Sequence, residues 1–288
     1  MSVEGTISFT SCPESAYSGS AYPGSAAGAA FDRIAHDYDR SFTDSLIGRA
    51  QRDAVWKVLA RTFQKNDRVL ELNCGTGEDA IYLAGNGISV VALDASQQMI
   101  ATAEQRLQHK SPQISAVFRE LPTERIGELR PEKQFDGVFS NFSGLNCIAD
   151  LAAVACSVAR LVKPEGRLVL CFSTRFCLVE ILYYLVLGRW RTALRRCKGY
   201  TDVTIDGVSF MVYYPTLRKI RRTFAPDFRL YSCTGIGVAV PPSYLEAWAR
   251  QHPRLFRLLR RLEERLAALP ILRSTGDHVL VCFEKVSR

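Results

Sequence analysis

The nine residues from Val69 to Gly77 constrain the fold of this 288-residue chain more than any other segment. They read VLELNCGTG, an apolar strand pattern that carries Glu71 near its end and runs directly into a glycine-rich turn. A helical pattern follows, and then a second apolar run, residues 89–93, which ends in Asp94. This order suits an α/β unit that holds a nucleoside. Glycines let a ligand approach the backbone, and the second acid can accept hydrogen bonds from both ribose hydroxyls.

Two kinds of nucleoside ligand fit this pattern. The segment GTGEDA from Gly75 matches the G-x-G-x-x-A fingerprint of dinucleotide sites, and Asp94 lies 19 residues after Gly75, as in that fingerprint. A dinucleotide brings a pyrophosphate, however, and the carboxylates of Glu71, Glu78 and Asp79 surround the turn. Because like charges repel, the sequence favours a cationic ligand without phosphate over NAD.

Motifs in order along the chain resemble those of the class I S-adenosyl-L-methionine (SAM)-dependent methyltransferases, in particular the ubiquinone/menaquinone-type small-molecule methyltransferases. They are FDRIAHDYD from Phe31, VLELNCGTGEDA from Val69 with VVALDAS after it, FDGVFSN from Phe135 and LVKPEGRL from Leu161. The resemblance runs from Phe31 to Leu170, about half of the chain. It implies SAM as the cofactor and methyl transfer as the activity. It also implies a Rossmann-like α/β fold: a seven-stranded sheet in the order 3-2-1-4-5-7-6, the last strand antiparallel, with helices on both faces.

The resemblance assigns cofactor roles around the glycine-rich turn. Gly75 and Gly77 correspond to the turn that carries the cofactor, Glu71 to the acid that holds its methionine end, and Asp94 to the acid that holds the ribose. Asn73 stands where the family usually has glycine. Asparagine tolerates the left-handed backbone better than other non-glycine residues, so we expect the turn to survive this change.

Further residues correspond to the adenine side of the family's site. Ala95 and Met99 resemble the residues that pack on the adenine, although Met99 also fits a place in the core. Glu120 and Leu121 follow the third strand, where the family commonly contacts the adenine amino group. The match there is loose, because the usual Asp-Ala pair is absent.

Three residues are candidates for the chemistry. Tyr38 resembles the aromatic of the first helix that closes over the cofactor, and its ring can attract a sulfonium through a cation–π contact. Asn141 follows the fourth strand, beside the transferable methyl in the family. His36 is the candidate base if the acceptor carries a hard proton. A packed tyrosine, a polar loop and a solvated histidine are the simpler interpretations.

The composition sets the organisation of the chain. Residues 1–30 contain no Lys or Arg and are rich in Ser, Gly, Ala and Pro, which predicts a flexible tail rather than a signal peptide. Residues 31–288 are predicted to form one methyltransferase domain with helical lid inserts at about 173–226 and 236–276. The nine cysteines and four histidines lack metal-ligand spacings, so we predict free thiols, a cytoplasmic setting and no metal.

Charge separates the two halves of the chain. Residues 1–150 carry a net charge of −5, and residues 151–288 carry +13. In the basic half, the apolar run 176–187 is too short to span a membrane and is followed by a cluster of arginines. This pairing favours a small or lipid-like apolar acceptor with an acidic group, and peripheral contact with a membrane.

Other functions stay open at this point. The basic half also suits an RNA or protein methyltransferase, although no RNA-binding appendage is recognisable and a nucleic-acid partner is not favoured. Functions of a different class are an NAD-linked oxidoreductase or a non-catalytic nucleoside-binding protein. The sequence alone assigns neither the acceptor atom nor the oligomeric state.

Overall fold

The structure is a computed structural model that describes residues 8–9, 23–110 and 114–287. The strands among them are β1 Ser8–Phe9, β2 Arg68–Leu72, β3 Ser89–Asp94, β4 Ala116–Glu120, β5 Leu129–Arg130, β6 Phe135–Ser140, β7 Val162–Ser173, β8 Tyr200–Ile205, β9 Val208–Tyr213, β10 Phe228–Ile236 and β11 His278–Lys285. The α-helices are α1 Pro23–Tyr38, α2 Leu46–Thr62, α3 Glu78–Gly85, α4 Gln97–Gln108, α5 Leu151–Leu161, α6 Leu178–Val186, α7 Trp190–Ala193, α8 Leu217–Phe224, α9 Glu246–Gln251 and α10 Pro253–Leu266.

Seven strands form the central sheet in the order β4-β3-β2-β6-β7-β11-β10. Numbered along the chain within the sheet, this is 3-2-1-4-5-7-6. The last strand, β11, is antiparallel to both of its neighbours, and the other pairs are parallel. The predicted α/β, Rossmann-like fold is therefore confirmed.

The sheet is buried on both faces, which explains its apolar strands. Along β2, Val69 packs in the hydrophobic cluster on one face, while Leu70 and Leu72 pack in the cluster on the other. Strand side chains alternate between faces, so a strand covered by helices on both sides reads as a near-continuous apolar run. Strand order reverses between β2 and β6, and ligands of such sheets bind at this point beyond the carboxyl ends of the strands.

The first helix begins earlier than the sequence suggested. The predicted flexible tail is wrong for residues 23–30, because α1 begins at Pro23 and buries Ala27 and Ala30. Alanine favours helix, and its small side chain allows close packing, so this alanine-rich segment joins the helix. Residues 8–9 pair with β5. The rest of the predicted tail, residues 1–7 and 10–22, lies outside the described residues.

The two inserts hold more than helices. Between β7 and β10 the chain forms α6, α7, the hairpin β8–β9 and α8, and between β10 and β11 it forms α9 and α10. The hairpin was missed. Its turn residues Asp206 and Gly207 both have positive φ, at 44° and 79°, as an Asp-Gly hairpin turn requires. Among residues 8–9, 23–110 and 114–287, none of the helices has the length and continuous apolar character that a membrane span needs.

Candidate cofactor and acceptor site

A cavity lies beyond the carboxyl ends of β2, β3 and β6, and two unlike surfaces face each other across it. The turn wall consists of Asn73–Thr76, Asp94, Ala95, Met99, Thr123 and Glu124. The hairpin wall consists of Ala27, Phe31, Cys147, Ile148, Val203, Ile205, Phe210 and Val212. Between the two walls lie Tyr38, Arg52, Asp79 and residues 141–144.

Left-handed backbone shapes the turn wall. Asn73, Gly75 and Gly77 have φ values of 57°, 54° and 76°. A Cβ added to Gly75 would meet nothing within 4 Å, so this residue presents bare backbone to the cavity. A Cβ on Gly77 would come within 2.8 Å of the Phe118 ring. Gly77 therefore serves the packing of the turn and does not line the cavity.

The carboxylate of Asp94 is held by backbone amides on both oxygens. Oδ2 accepts from the amide of Gly75 at 2.8 Å, and Oδ1 accepts from the amide of Ser96 at 2.9 Å. Burial raises the pKa of Asp94, although these hydrogen bonds oppose the shift. Two fixed oxygens in the cavity wall fit a pair of vicinal hydroxyls, since a carboxylate retains acceptor capacity beyond one bond per oxygen. Its ribose role stays a prediction.

Glu71 lies behind the turn rather than in the cavity wall. Its side chain is 1 % exposed, and Oε2 has no hydrogen-bond partner among the described residues. Burial and the nearby charge of Asp79 raise its pKa well above the ordinary range. An orphaned buried carboxylate oxygen is costly unless a donor satisfies it, so this atom fits a cationic group bound close by.

Asn73 takes part in the turn through its side chain. Its Oδ1 accepts from the hydroxyl of Thr123 at 3.1 Å and from that of Ser140 at 3.4 Å. A Cβ added to Gly144 would lie 2.2 Å from the Cβ of Asn73. The glycine in the loop after β6 thus makes room for the asparagine that replaces the family's usual glycine.

A buried cation lies beside the turn, and sequence reasoning missed it. Arg52, on α2, forms an ion pair with Asp79 at 2.5 Å and lies 4.9 Å from the ring centroid of Phe142. Asp79 also accepts from Trp56 Nε1 at 2.6 Å and from Asn141 Nδ2 at 2.9 Å. The predicted residue Asn141 lines the cavity, and its hydrogen bond helps to hold Asp79 in place beside Arg52. The helical spacing of α2 gave no sign that an arginine would face inward.

The pairing of these acids corrects the electrostatic argument drawn from the sequence. Glu78 forms ion pairs with Arg49 at 3.0 Å and with Arg106, and Asp79 is paired with an arginine as well. Only Glu71 and Asp94 of the four acids near the turn have no ion-pair partner among the described residues. The preference for a cationic ligand rests on these two acids.

Tyr38 and His36 are two residues apart in sequence, but Tyr38 lines the cavity and His36 does not. Tyr38 lines the cavity, packed edge to face against Phe31 with ring centroids 6.3 Å apart. Burial raises its pKa to about 12, so the hydroxyl stays protonated near neutral pH. His36 is exposed and lies 3.1 Å from Asp37, outside the cavity. Two residues along a helix lie on nearly opposite faces, so the prediction of His36 as the base is wrong.

Four residues were predicted on the adenine side of the site, and two of them line the cavity while the other two do not. Ala95 and Met99 line the cavity, and their packing on the adenine stays a prediction. Glu120 is exposed and Leu121 is buried in the core, and neither contributes to the cavity wall, so their prediction is wrong.

Two later residues take the places of Glu120 and Leu121. The chain turns at Pro122 and brings Thr123 and Glu124 to the cavity. Glu124 Oε1 is buried without a hydrogen-bond partner in the described structure, and burial raises the pKa of this acid.

The hairpin wall is apolar and is tied to the sheet by Asn146. The Nδ2 group of Asn146 donates to the carbonyls of Ser173 at 3.2 Å and Tyr213 at 2.6 Å. Its Oδ1 accepts from the amide of Ser173 at 2.9 Å. This wall carries a single titratable group, the thiol of Cys147, whose pKa burial raises to about 12.

Potential metal ligands meet away from the cavity wall. Cys177, Glu180 and Asp277 bring ligand-type atoms within 4.8 Å of one another. Arg196 donates to Glu180 at 2.6 Å and to Asp277 at 2.9 Å. The guanidinium supplies the positive charge there, so the donor set does not fit a divalent ion.

Comparison with known proteins agrees with this geometry. Residues 69–166 match the family model of a methyltransferase domain. A demethylmenaquinone methyltransferase of Tropheryma whipplei (strain Twist) is 32% identical over 166 residues, 54% of this chain and 63% of the relative. The chain covers 56–63% of the first curated relatives it matches.

Solved structures share the fold. An S-adenosylmethionine-dependent methyltransferase from Mesorhizobium loti aligns with a TM-score of 0.53 at 15% identity, over 82% of this chain and 97% of that one. The [4+2]-cyclase SpnF aligns with a TM-score of 0.62 at 15% identity, over 94% and 98%. The chain carries a class I SAM-dependent methyltransferase domain, and the predicted family and its SAM cofactor are confirmed.

Proposed function

We propose that this chain transfers the methyl group of SAM to a small apolar acceptor held against the hairpin wall. The observation that carries the proposal is the junction of two unlike surfaces in one cavity. The turn wall offers the fixed carboxylate of Asp94 and bare backbone, and the hairpin wall offers apolar side chains.

The chain's residues divide among the parts of the cofactor. Asp94 would hold the ribose hydroxyls, and Ala95 and Met99 would pack on the adenine. Glu71 would accept from the ammonium group, which supplies its orphaned oxygen with a donor. Arg52 would hold the carboxylate of the methionine end, because a guanidinium pairs with a carboxylate in a bidentate geometry.

The chain's contribution to the reaction is alignment in a water-poor site. SAM, when bound, supplies an electrophilic methyl group on a positively charged sulfur. The apolar hairpin wall excludes water and orients the acceptor, which can supply much of the rate by itself. Tyr38, protonated near neutral pH, can donate to the acceptor or present its ring face to positive charge.

The absence of a base from the hairpin wall narrows the acceptor. The only titratable side chain on that wall is Cys147, and burial keeps its thiol protonated. The hairpin wall therefore favours an acceptor whose nucleophile is already free or ionises easily. A phenol or hydroquinone of raised acidity, a thiol or an electron-rich ring carbon fits this requirement. The acid that borders the same cavity from the turn wall is Glu124, whose Oε1 has no hydrogen-bond partner in the described structure.

The name of the T. whipplei relative agrees with an acceptor of the small apolar class. We extend only the class to this chain, because the α1 and β8–β9 residues of the hairpin wall lie outside the residues that match the family model. The predicted acidic group on the acceptor stays a prediction, since Arg52, the cationic side chain among the described residues of the cavity wall, is already paired with Asp79.

Methyl-labelled SAM tests the proposal. We expect the purified chain to label apolar phenols, hydroquinones or thiols, and to leave transfer RNA and a mixture of basic proteins unlabelled. Labelling of RNA or protein in place of the small molecules would contradict the proposal. An NAD-dependent redox reaction without methyl transfer would contradict it as well.

A further inference from the structure

Helix α6 buries a charged side chain and exposes several of its apolar side chains. Its one buried residue is Glu180, which is 1 % exposed. Its leucines and Val186 lie at the surface instead: Leu182 is 54% exposed and Val186 is 87% exposed. A helix on the surface of a globular protein ordinarily turns its apolar stripe to the core and its charges to water.

A buried ion-pair network fixes this orientation. Glu180 accepts from Arg195 at 3.0 Å and from Arg196 at 2.6 Å, and Arg196 also donates to Asp277 at 2.9 Å. The amide of Leu178 at the start of the helix donates to a backbone carbonyl before β11, at 2.8 Å. Removing a buried carboxylate from such partners is costly, so the network holds the apolar face of α6 outward.

The exposed apolar side chains continue beyond the helix. Trp190, on α7, is 60% exposed, and the neighbouring exposed apolar side chains are Phe176, Leu178, Leu182, Leu185, Val186, Leu187 and Leu194. We call these residues, with Trp190, the α6–α7 face. Soluble proteins rarely expose a large contiguous apolar patch, and such patches mark sites of contact with proteins or membranes.

Charge decides between these partners. The 21 residues from 181 to 201 contain no Asp or Glu. Arg189, Arg191 and Lys198 are exposed and form no ion pair with a described residue, and Arg191 lies over the ring of Trp190 at 5.2 Å. An apolar face that carries a tryptophan and only cationic groups matches the boundary of a bilayer whose head groups are anionic.

We propose that the α6–α7 face docks on an anionic lipid bilayer. Leu182, Val186 and Trp190 enter the boundary between head groups and acyl chains, and Arg189, Arg191 and Lys198 lie among the lipid phosphates. Long cationic side chains can reach upward to the head groups while their stems stay in apolar surroundings. Docking requires neither cofactor nor acceptor, so it stands apart from the proposed methyl transfer.

Co-sedimentation with lipid vesicles tests this inference. The full chain is mixed with phosphatidylcholine vesicles that contain or lack phosphatidylglycerol. We expect binding to the anionic vesicles, weakened by salt, and little binding to pure phosphatidylcholine. The double variant V186S/W190S should lower the partition coefficient by about tenfold or more. Both side chains are exposed, so the fold should survive the change.

A matched control separates this face from exposed apolar surface in general. Ile271, in the second insert, is 84% exposed. Ile271→Ser should leave vesicle binding unchanged. Equal binding by V186S/W190S and the parent chain would overturn the inference, and so would equal binding to neutral vesicles. A concentration-dependent dimer that V186S/W190S abolishes, without vesicle binding, would assign the face to a second copy of the chain.

Discussion

The two walls of the cavity are built in different ways. The turn wall comes from strand ends and backbone amides that lie within 52 residues of sequence, from Asn73 to Glu124. The hairpin wall joins α1 to a hairpin nearly 180 residues away, through side-chain packing such as the contact of Phe31 with Phe210. The difference teaches that the shared fold builds the turn wall, which we propose binds the cofactor, while an insert builds the hairpin wall, which we propose holds the acceptor.

The largest expected effect is a loss of stability when the buried ion pair between the two walls is broken. Arg52→Met removes the guanidinium from Asp79, which is 3 % exposed. Leaving a buried carboxylate unpaired should cost about 3–5 kcal/mol of unfolding free energy, measured by chemical denaturation. The double variant R52M/D79N should recover most of that stability and still bind SAM weakly. Full recovery of SAM affinity in the double variant would show that Arg52 has only a structural role.

A second pair of substitutions tests whether SAM affinity depends on the acid in the turn wall or on any nearby negative charge. Asp94→Ala removes both carboxylate oxygens from the cavity, and we expect SAM affinity to fall at least about 100-fold in isothermal titration calorimetry. Glu120 is the matched control, because it pairs with Asp94 in the parallel ladder but lies outside the cavity. Glu120→Ala should leave the affinity unchanged. Similar losses in both variants would point to a general charge effect.

The close contact between Asn73 and Gly144 can be tested by enlarging one residue and shrinking the other. Gly144→Ala brings a methyl group against Asn73, and overpacking of this kind should cost about 1–3 kcal/mol of stability. Adding Asn73→Gly should relieve the clash, so that the two changes together cost less than Gly144→Ala alone. Additive losses in thermal unfolding would contradict the proposed fit between these two residues.

A change on the hairpin wall should affect the acceptor and spare the cofactor. Ile205→Thr places a hydroxyl at the apolar wall on a half-buried residue, so the fold should tolerate it. We expect the acceptor KM to rise about tenfold while the Kd for SAM stays the same. Loss of SAM affinity in this variant would contradict the proposal that the hairpin wall binds the acceptor and not the cofactor.

The smallest expected effect is a pH dependence of SAM affinity, through Asp94 in the turn wall and Glu71 behind it. Burial raises the pKa of Glu71 and Asp94 in the folded chain, and a bound cation would favour their ionised forms. As pH falls through the raised pKa values, SAM affinity should decrease. The free chain should gain stability over the same window, because the folded state then binds more protons than the unfolded state. Asp94→Asn should flatten the affinity profile; a profile unchanged by this substitution would contradict the assignment.

The sequence predicted the sheet and most of the turn wall because their signals are local. Strand patterns and the glycine turn each act over a few residues, and the sheet order followed from the family resemblance. Arg52 and the hairpin wall depend on contacts between distant segments, which one sequence does not contain. His36 and Glu120 failed because a motif gives neighbours in sequence, and the helix and strand then place those neighbours on different faces.

Titration of the chain with SAM, S-adenosylhomocysteine and NAD, side by side in a calorimeter, tests the central claim most directly. Asp94 and the bare backbone of the turn wall, with Glu71 behind it, predict binding of the first two compounds, each with one site per chain, and no binding of NAD. Binding of NAD alone would contradict the account. It would mean that the turn accepts a pyrophosphate in spite of Glu71, and that the dinucleotide fingerprint at Gly75 describes the true ligand.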